Sequence, residues 1–145
     1  MISAADILSA KVLVVDDDID ALRILEQVLT TAGFTSITCT TDSRAVVDLH
    51  CEQDFDAILL DVLMPNMDGF EVMEALKPCE RDGYLPVLAL TAEPGHRTQA
   101  LRYGAKDFLR KPFDPEELLL RVRNLLEVRL LYKERRLGSM ISAAA

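Results

Sequence analysis

The chain predicts an α/β domain, a single parallel sheet covered by helices on both faces. Apolar runs of strand length alternate five times with segments of helical period, the order expected of β-then-α units. The strand runs are apolar almost throughout, as strands buried on both sides require. At 145 residues, half of them apolar and 28% charged, the chain suits one ordinary globular domain rather than a disordered segment.

The elements can be justified in order. "KVLVV" at residues 11–15 is the first strand. In "DIDALRILEQVLTTAG", Ala21, Leu22, Leu25, Val28 and Leu29 share one helical face, and Gly33 stops the helix. Asp18, with Asp20, supplies its cap. "SITC" is a short second strand, followed by the helix "TDSRAVVDLHCEQ", which Thr41 or Asp42 can cap. "DAILLD" is the third strand. Asp68-Gly69 turns the chain into the helix "FEVMEALK", which ends near Pro78. "LPVLALTA", "HRTQALRYGA" and "KDFLRK" are the fourth strand, fourth helix and fifth strand. "DPEELLLRVRNLLEVRLLYKERR" is a long last helix with Pro115 in its first turn, acids early and bases late, as the macrodipole favours.

This last helix carries two apolar stripes: Leu119, Val122, Leu126, Leu130 and Leu137, and Leu118, Leu125, Val128 and Tyr132. One should pack on the sheet. The other, with the extension beyond Leu126, suggests a helical linker that pairs with another chain or leads to an output domain. The expected organisation is a domain over 1–126 with its core at 11–126. A helix extension follows over 127–137, serving as linker or dimerisation segment, then a disordered or vector-derived tail over 138–145. "MISAA" opens the chain and recurs at Met140–Ala144, which favours the vector origin.

Charge and composition exclude several functions. A net charge of −8 argues against non-specific binding to nucleic acid or to an anionic membrane. No apolar run approaches the roughly 20 residues that span a bilayer, and the N-terminus lacks the pattern of a signal peptide. Cys39, Cys51 and Cys79 are odd in number and without C-x-x-C spacing, so they are expected to be reduced packing residues of a cytoplasmic protein. His50 and His96 have no nucleophile or acid at useful spacing, and Met64, Met67 and Met73 read as loop packing or core.

The chemistry should lie at the carboxyl ends of the strands, where open α/β sheets bind ligands. Strand one ends in Asp16, Asp17 and Asp18, strand three in Asp61, strand four in Thr91 and strand five in Lys111. In a flavodoxin-like order 2-1-3-4-5, strands one and three are neighbours about 5 Å apart. Asp61 then lies beside the acidic triplet. Carboxylates this close repel by roughly 1 to 4 kcal/mol per pair near 4 Å. Lys111 offsets one charge. An oxygen-only ligand set suits Mg²⁺ or Mn²⁺ for the rest, and a magnesium site with open positions favours a phosphoryl group. Asp18 reads as the helix start rather than as a ligand.

"VLVVDDD", "DAILLDVLMPNMDGFEV", "LPVLALTA" and "GAKDFLRKPFD" together resemble the receiver domain of two-component response regulators, over roughly Lys11 to Leu126. The resemblance implies that Asp61 accepts a phosphoryl group from a sensor histidine kinase, a histidine phosphotransfer protein or a small acyl phosphate. It implies that Asp16, Asp17, Asp61 and the Leu63 backbone carbonyl hold Mg²⁺. Thr91 and Lys111 would hold the phosphate, with Thr91 and Phe108 as the switch pair and Pro112 as the proline after the lysine, often joined by a cis bond. It also implies an output domain or effector as partner, and a homodimer through the fourth helix, fifth strand and last helix, or through the extended last helix. Leu63 and Glu93 stand where the family tunes acyl-phosphate lifetime.

Two other classes compete. A haloacid-dehalogenase-like phosphatase offers D-x-D as Asp16 and Asp18, but expects Thr or Val where Asp20 stands, and usually a larger chain with a cap. A flavin or nucleotide domain would need a Gly-rich loop after strand one, which is missing.

Overall fold

The computed structural model describes residues 1–64, 68–79 and 84–144. Five parallel strands form one sheet in the order β2-β1-β3-β4-β5. They are β1 (Lys11–Val15), β2 (Ser36–Thr40), β3 (Ala57–Asp61), β4 (Val87–Thr91) and β5 (Asp107–Arg110). The helices are α1 (Ala4–Leu8), α2 (Ile19–Thr31), α3 (Val46–Gln53), α4 (Gly69–Leu76), α5 (Arg97–Arg102) and α6 (Pro115–Ala144). Fold class and strand order are those the sequence predicts.

Alternation along the strands divides the core into two layers. Leu13, Val15, Ile58, Leu60 and Ala89 pack with Val46, Val72, Met73, Leu76 and Ala100, towards α3, α4 and α5. Val12, Val14, Leu59, Leu88 and Leu90 pack with Leu22, Leu25, Leu29, Leu118 and Val122, towards α2 and α6. Full burial of each such side chain contributes about 1.5–3 kcal/mol. Met64 and Met73 are core, as expected; Met67 lies outside the described residues.

Carboxylates start several of the helical segments, among them Asp114, which accepts the Glu116 N–H at 3.2 Å ahead of α6. Asp18 accepts the Asp20 N–H at 3.0 Å, Asp42 accepts the Arg44 N–H at 3.0 Å ahead of α3, and Asp68 accepts the Glu71 N–H at 2.9 Å. Gly33 follows α2 at φ 104°, a conformation that disfavours any Cβ.

The structure departs from expectation at both ends and at the cysteines. A helix stands before β1: Ser3 and Asp6 form a reciprocal capping box, and Ile7 and Leu8 pack on the α2 and α6 layer. Helix α6 buries Leu118, Val122, Leu125 and Leu126, drawn from both apolar stripes rather than from either one, together with Arg129, which belongs to neither. Its backbone is helical over 138–144. Cys51 is exposed rather than packed, and Cys39 and Cys79 are half-buried. His50 is buried and accepts the Phe55 N–H at 3.1 Å, a packing role.

The start of α6's extension is clasped to the floor of the sheet. The Arg129 guanidinium is 2% exposed and donates to the Tyr84 carbonyl at 2.7 Å, the Phe55 carbonyl at 3.4 Å and Asp56 at 3.4 Å. Lys133 reaches the same Asp56 carboxylate at 2.8 Å, and Tyr132 stacks on Tyr84 at 5.1 Å.

Candidate functional site

Strands β1 and β3 pair in register, Val15 opposite Leu60, so the acidic residues after one strand meet the last residue of the other. Carboxylate oxygens of Asp16, Asp17 and Asp61 lie within 4.8 Å of one another. Asp16 is fully buried, Asp61 nearly so, and Asp17 exposed.

Lys111 closes the site from the far edge. Its exit from β5 is fixed by its own N–H donating to the Thr91 carbonyl at 2.8 Å, and the Lys111–Pro112 peptide is cis. The ammonium bonds Asp16 Oδ2 at 2.6 Å and Asp61 Oδ2 at 3.3 Å. The other oxygens are held by the backbone: Asp16 Oδ1 accepts the Asp18 N–H at 3.0 Å, and Asp61 Oδ1 the Leu63 N–H at 3.1 Å. Asp18 therefore does two structural things, capping α2 with its carboxylate and orienting Asp16 with its amide.

Two of the three clustered carboxylates bond one ammonium, and Asp61 and Lys111 are both displaced from their usual values. Burial pushes the Asp61 carboxyl above its usual value; the Lys111 charge opposes this and the Asp16 charge adds to it. Burial by itself would lower the Lys111 ammonium. The hydrogen bond and charge of Asp16, then those of Asp61, outweigh it and raise the group instead. The oxygen-only donor set and its surplus negative charge fit a hard divalent cation.

Thr91 ends β4, one strand from Asp61, with its side chain buried and its hydroxyl accepting the Glu93 N–H at 3.1 Å. Phe108 lies in β5 opposite Ala89, half-buried, in a cleft lined also by Arg97, Arg110, Phe113 and Arg121. Leu63 is 44% exposed. Of the residues singled out from the sequence, Asp16, Asp17 and Asp61 cluster and Lys111 bonds Asp16 and Asp61, while Thr91 and Phe108 stand on β4 and β5.

Sequence reading missed Gly69. A Cβ there would stand 2.7 Å from the Val62 Cα and 2.9 Å from the Asp61 carbonyl oxygen, while the Gly69 N–H donates to the Val62 carbonyl at 2.9 Å. Helix α4 starts pressed against the backbone that leaves Asp61, and glycine alone permits the approach. The Asp-Gly pair was visible as a turn; the contact behind it was not.

With this geometry, a parallel sheet in 2-1-3-4-5 order carries an acidic cluster, a lysine and a hydroxyl at the strand ends. The chain belongs to the response regulator receiver domain family, which matches residues 12–123. It is 39% identical over 148 residues to the response regulator PleD of Caulobacter vibrioides, covering 95% of this chain and 32% of PleD. It is 42% identical over 118 residues to the response regulator MprA of Mycolicibacterium vanbaalenii, covering 80% of this chain and 50% of MprA. The receiver domain of the sensor histidine kinase PA1611 from Pseudomonas aeruginosa PAO1 has the same fold, with a TM-score of 0.75 at 29% identity. That match covers 82% of this chain and 98% of the other, whose active site cleft coordinates a magnesium ion. This chain therefore spans about a third of PleD and half of MprA. Its class is that of the phosphoryl-accepting signalling switches of two-component systems; the phosphatase reading finds no support among these relatives. Among the described residues, no helix is long and apolar enough to cross a membrane.

Proposed function

We propose that Asp61 is the phospho-acceptor of this receiver. The observation that carries the reading is a cluster of three carboxylates at the sheet's carboxyl edge, two of them bonded to one ammonium. Asp16, Asp17, Asp61 and the Leu63 backbone carbonyl would hold Mg²⁺, or Mn²⁺ in its place. The bound cation would neutralise the oxygens of the incoming group.

The Asp61 carboxylate attacks phosphorus of a phosphohistidine on a sensor kinase or phosphotransfer protein, or of a small acyl phosphate. A new P–O bond forms, the bond to the donor breaks, and the donor group leaves with its electron pair. Lys111 already touches Asp61 and balances charge on the transferred oxygens. The acyl phosphate adds about −1.5 to −2 charge at the site. Thr91 is drawn towards it, and Phe108 rotates into the space released. The surface of α5, β5 and α6 changes with it and is read by an output domain, an effector or a second copy of the chain. The protein phosphorylates and dephosphorylates its own aspartate, in a cytoplasmic setting. The receiver unit is taken as residues 1–126, with 127–137 as the linker or pairing segment.

The test is incubation with a small acyl phosphate. Stoichiometric, Mg²⁺-dependent incorporation that is lost in Asp61→Asn is expected. Rapid turnover of phosphate monoesters surviving that substitution would point to a phosphatase. Thr91→Ala should still take the phosphoryl group but lose the phosphate-dependent change in partner binding or dimerisation; an unaltered change would remove Thr91 from the switch.

A further inference from the structure

We propose that Cys51 and Cys79 close a reversible intramolecular disulfide that staples α3 to the end of α4. The two sulfur atoms lie 3.5 Å apart, although 28 residues separate them in the chain. A disulfide bond is about 2.05 Å long, so closure asks for a shift of roughly 1.5 Å, within reach of side-chain rotation. Cys51 is exposed on α3, where a small oxidant can reach it. Cys79 is half-buried in the short turn Lys77–Cys79 that follows α4. The helices meet through one core, with Val46 of α3 and Met73 and Leu76 of α4 in the same cluster, so the sulfur atoms are held near each other by packing. Cys39 offers a contrast. Its sulfur contacts Glu26 at 3.5 Å, and burial together with that carboxylate pushes its thiol up to about 12.

The oxidant is a small-molecule disulfide. The Cys51 thiolate attacks one of its sulfurs, a mixed disulfide forms, and one thiolate leaves. The Cys79 thiolate then attacks the Cys51 sulfur and expels the second. Two electrons pass from the cysteine pair to the oxidant, and the two protons given up by the cysteines are taken by the two departing thiolates. The ring so closed contains β3, Asp61 and α4. A cross-link over a loop of this length restricts the unfolded chain, and the Tm should rise by on the order of 5–10 °C.

The full chain, equilibrated with reduced and oxidised glutathione, provides the test by intact mass, non-reducing peptide mapping and thermal melting. The expected result is the loss of two hydrogens, a Cys51–Cys79 linked peptide and the rise in Tm, all reversed by dithiothreitol. The link should persist in Cys39→Ser and vanish in Cys51→Ser. Persistent glutathione on Cys51 beside a Cys79 thiol, a bridge through Cys39, or bridges between chains would overturn the proposal. The wild-type peptide map decides the matter even if a cysteine variant fails to fold.

Discussion

Strand β3 is preceded by one buried aspartate and ends on another, and the two are compensated in opposite ways. At the floor, Asp56 accepts the Lys11 amide at 3.0 Å, Lys133 at 2.8 Å and Arg129 at 3.4 Å, with Asp54 also reached by Arg129 at 3.5 Å. Two carboxylates there meet two cations. At the upper edge, Asp16, Asp17 and Asp61 cluster together, and Lys111 pairs with Asp16 and Asp61. The floor is electrically closed and ties α6 to the sheet. Among the described residues the upper edge is left short of positive charge, which a divalent cation would supply. Buried acids thus serve structure where they are matched, and chemistry where they are not.

The floor can be broken most severely. Arg129→Met removes a buried cation and leaves Asp56 and two carbonyls with fewer donors. A loss of about 3–5 kcal/mol is expected in urea unfolding, the usual cost of stranding a buried partner. Lys133 still reaches Asp56, which favours the lower figure. A loss below about 1 kcal/mol would mean that the clasp is a surface pair and that the contrast between the two ends is false.

A smaller effect should sharpen the picture of the upper edge. Gly69→Ala forces a methyl group against the Val62 Cα and the Asp61 carbonyl. Overpacking of this kind costs about 1–3 kcal/mol. Because α4 must retreat from the backbone next to Asp61, Mg²⁺ affinity should fall together with stability. Stability lost with Mg²⁺ affinity unaltered would show that the close approach serves α4 alone.

The strands and the site were readable because their physics is local. Strands buried on both sides leave uninterrupted apolar runs, and Asp16, Asp61 and Thr91 announce themselves by ending those runs, while Lys111 follows the mixed strand β5. The caps Asp18, Asp42 and Asp68 precede helical periodicity in the same way. What escaped depends on residues far apart in the chain. Arg129 lies on a helical face otherwise apolar, and its partner Asp56 stands 73 positions away, so the buried face of α6 could not be chosen from the stripes alone. Helix α1 has five residues, too few for a period to show. The approach of Gly69 to β3 and the contact of Cys51 with Cys79 exist only once α4 has docked.

The least disruptive change tests the charge imbalance itself. Burial raises the Asp61 carboxyl in the folded state, above its unfolded value near 3.9. The folded protein then binds more protons than the unfolded one between those two values, and stability falls as pH rises through that window. Asp61→Asn has no such loss. In EDTA at pH 7 it should be more stable than the wild type by on the order of 1 kcal/mol, and the advantage should vanish near roughly pH 3, where Asp61 is protonated in both states. Added Mg²⁺ should reverse the trend, since the wild type gains stability by mass action and the variant, with one ligand oxygen replaced by an amide, gains less. An Asn variant less stable than wild type in EDTA at pH 7 would mean that Lys111 already satisfies Asp61, and that the upper edge is as closed as the floor.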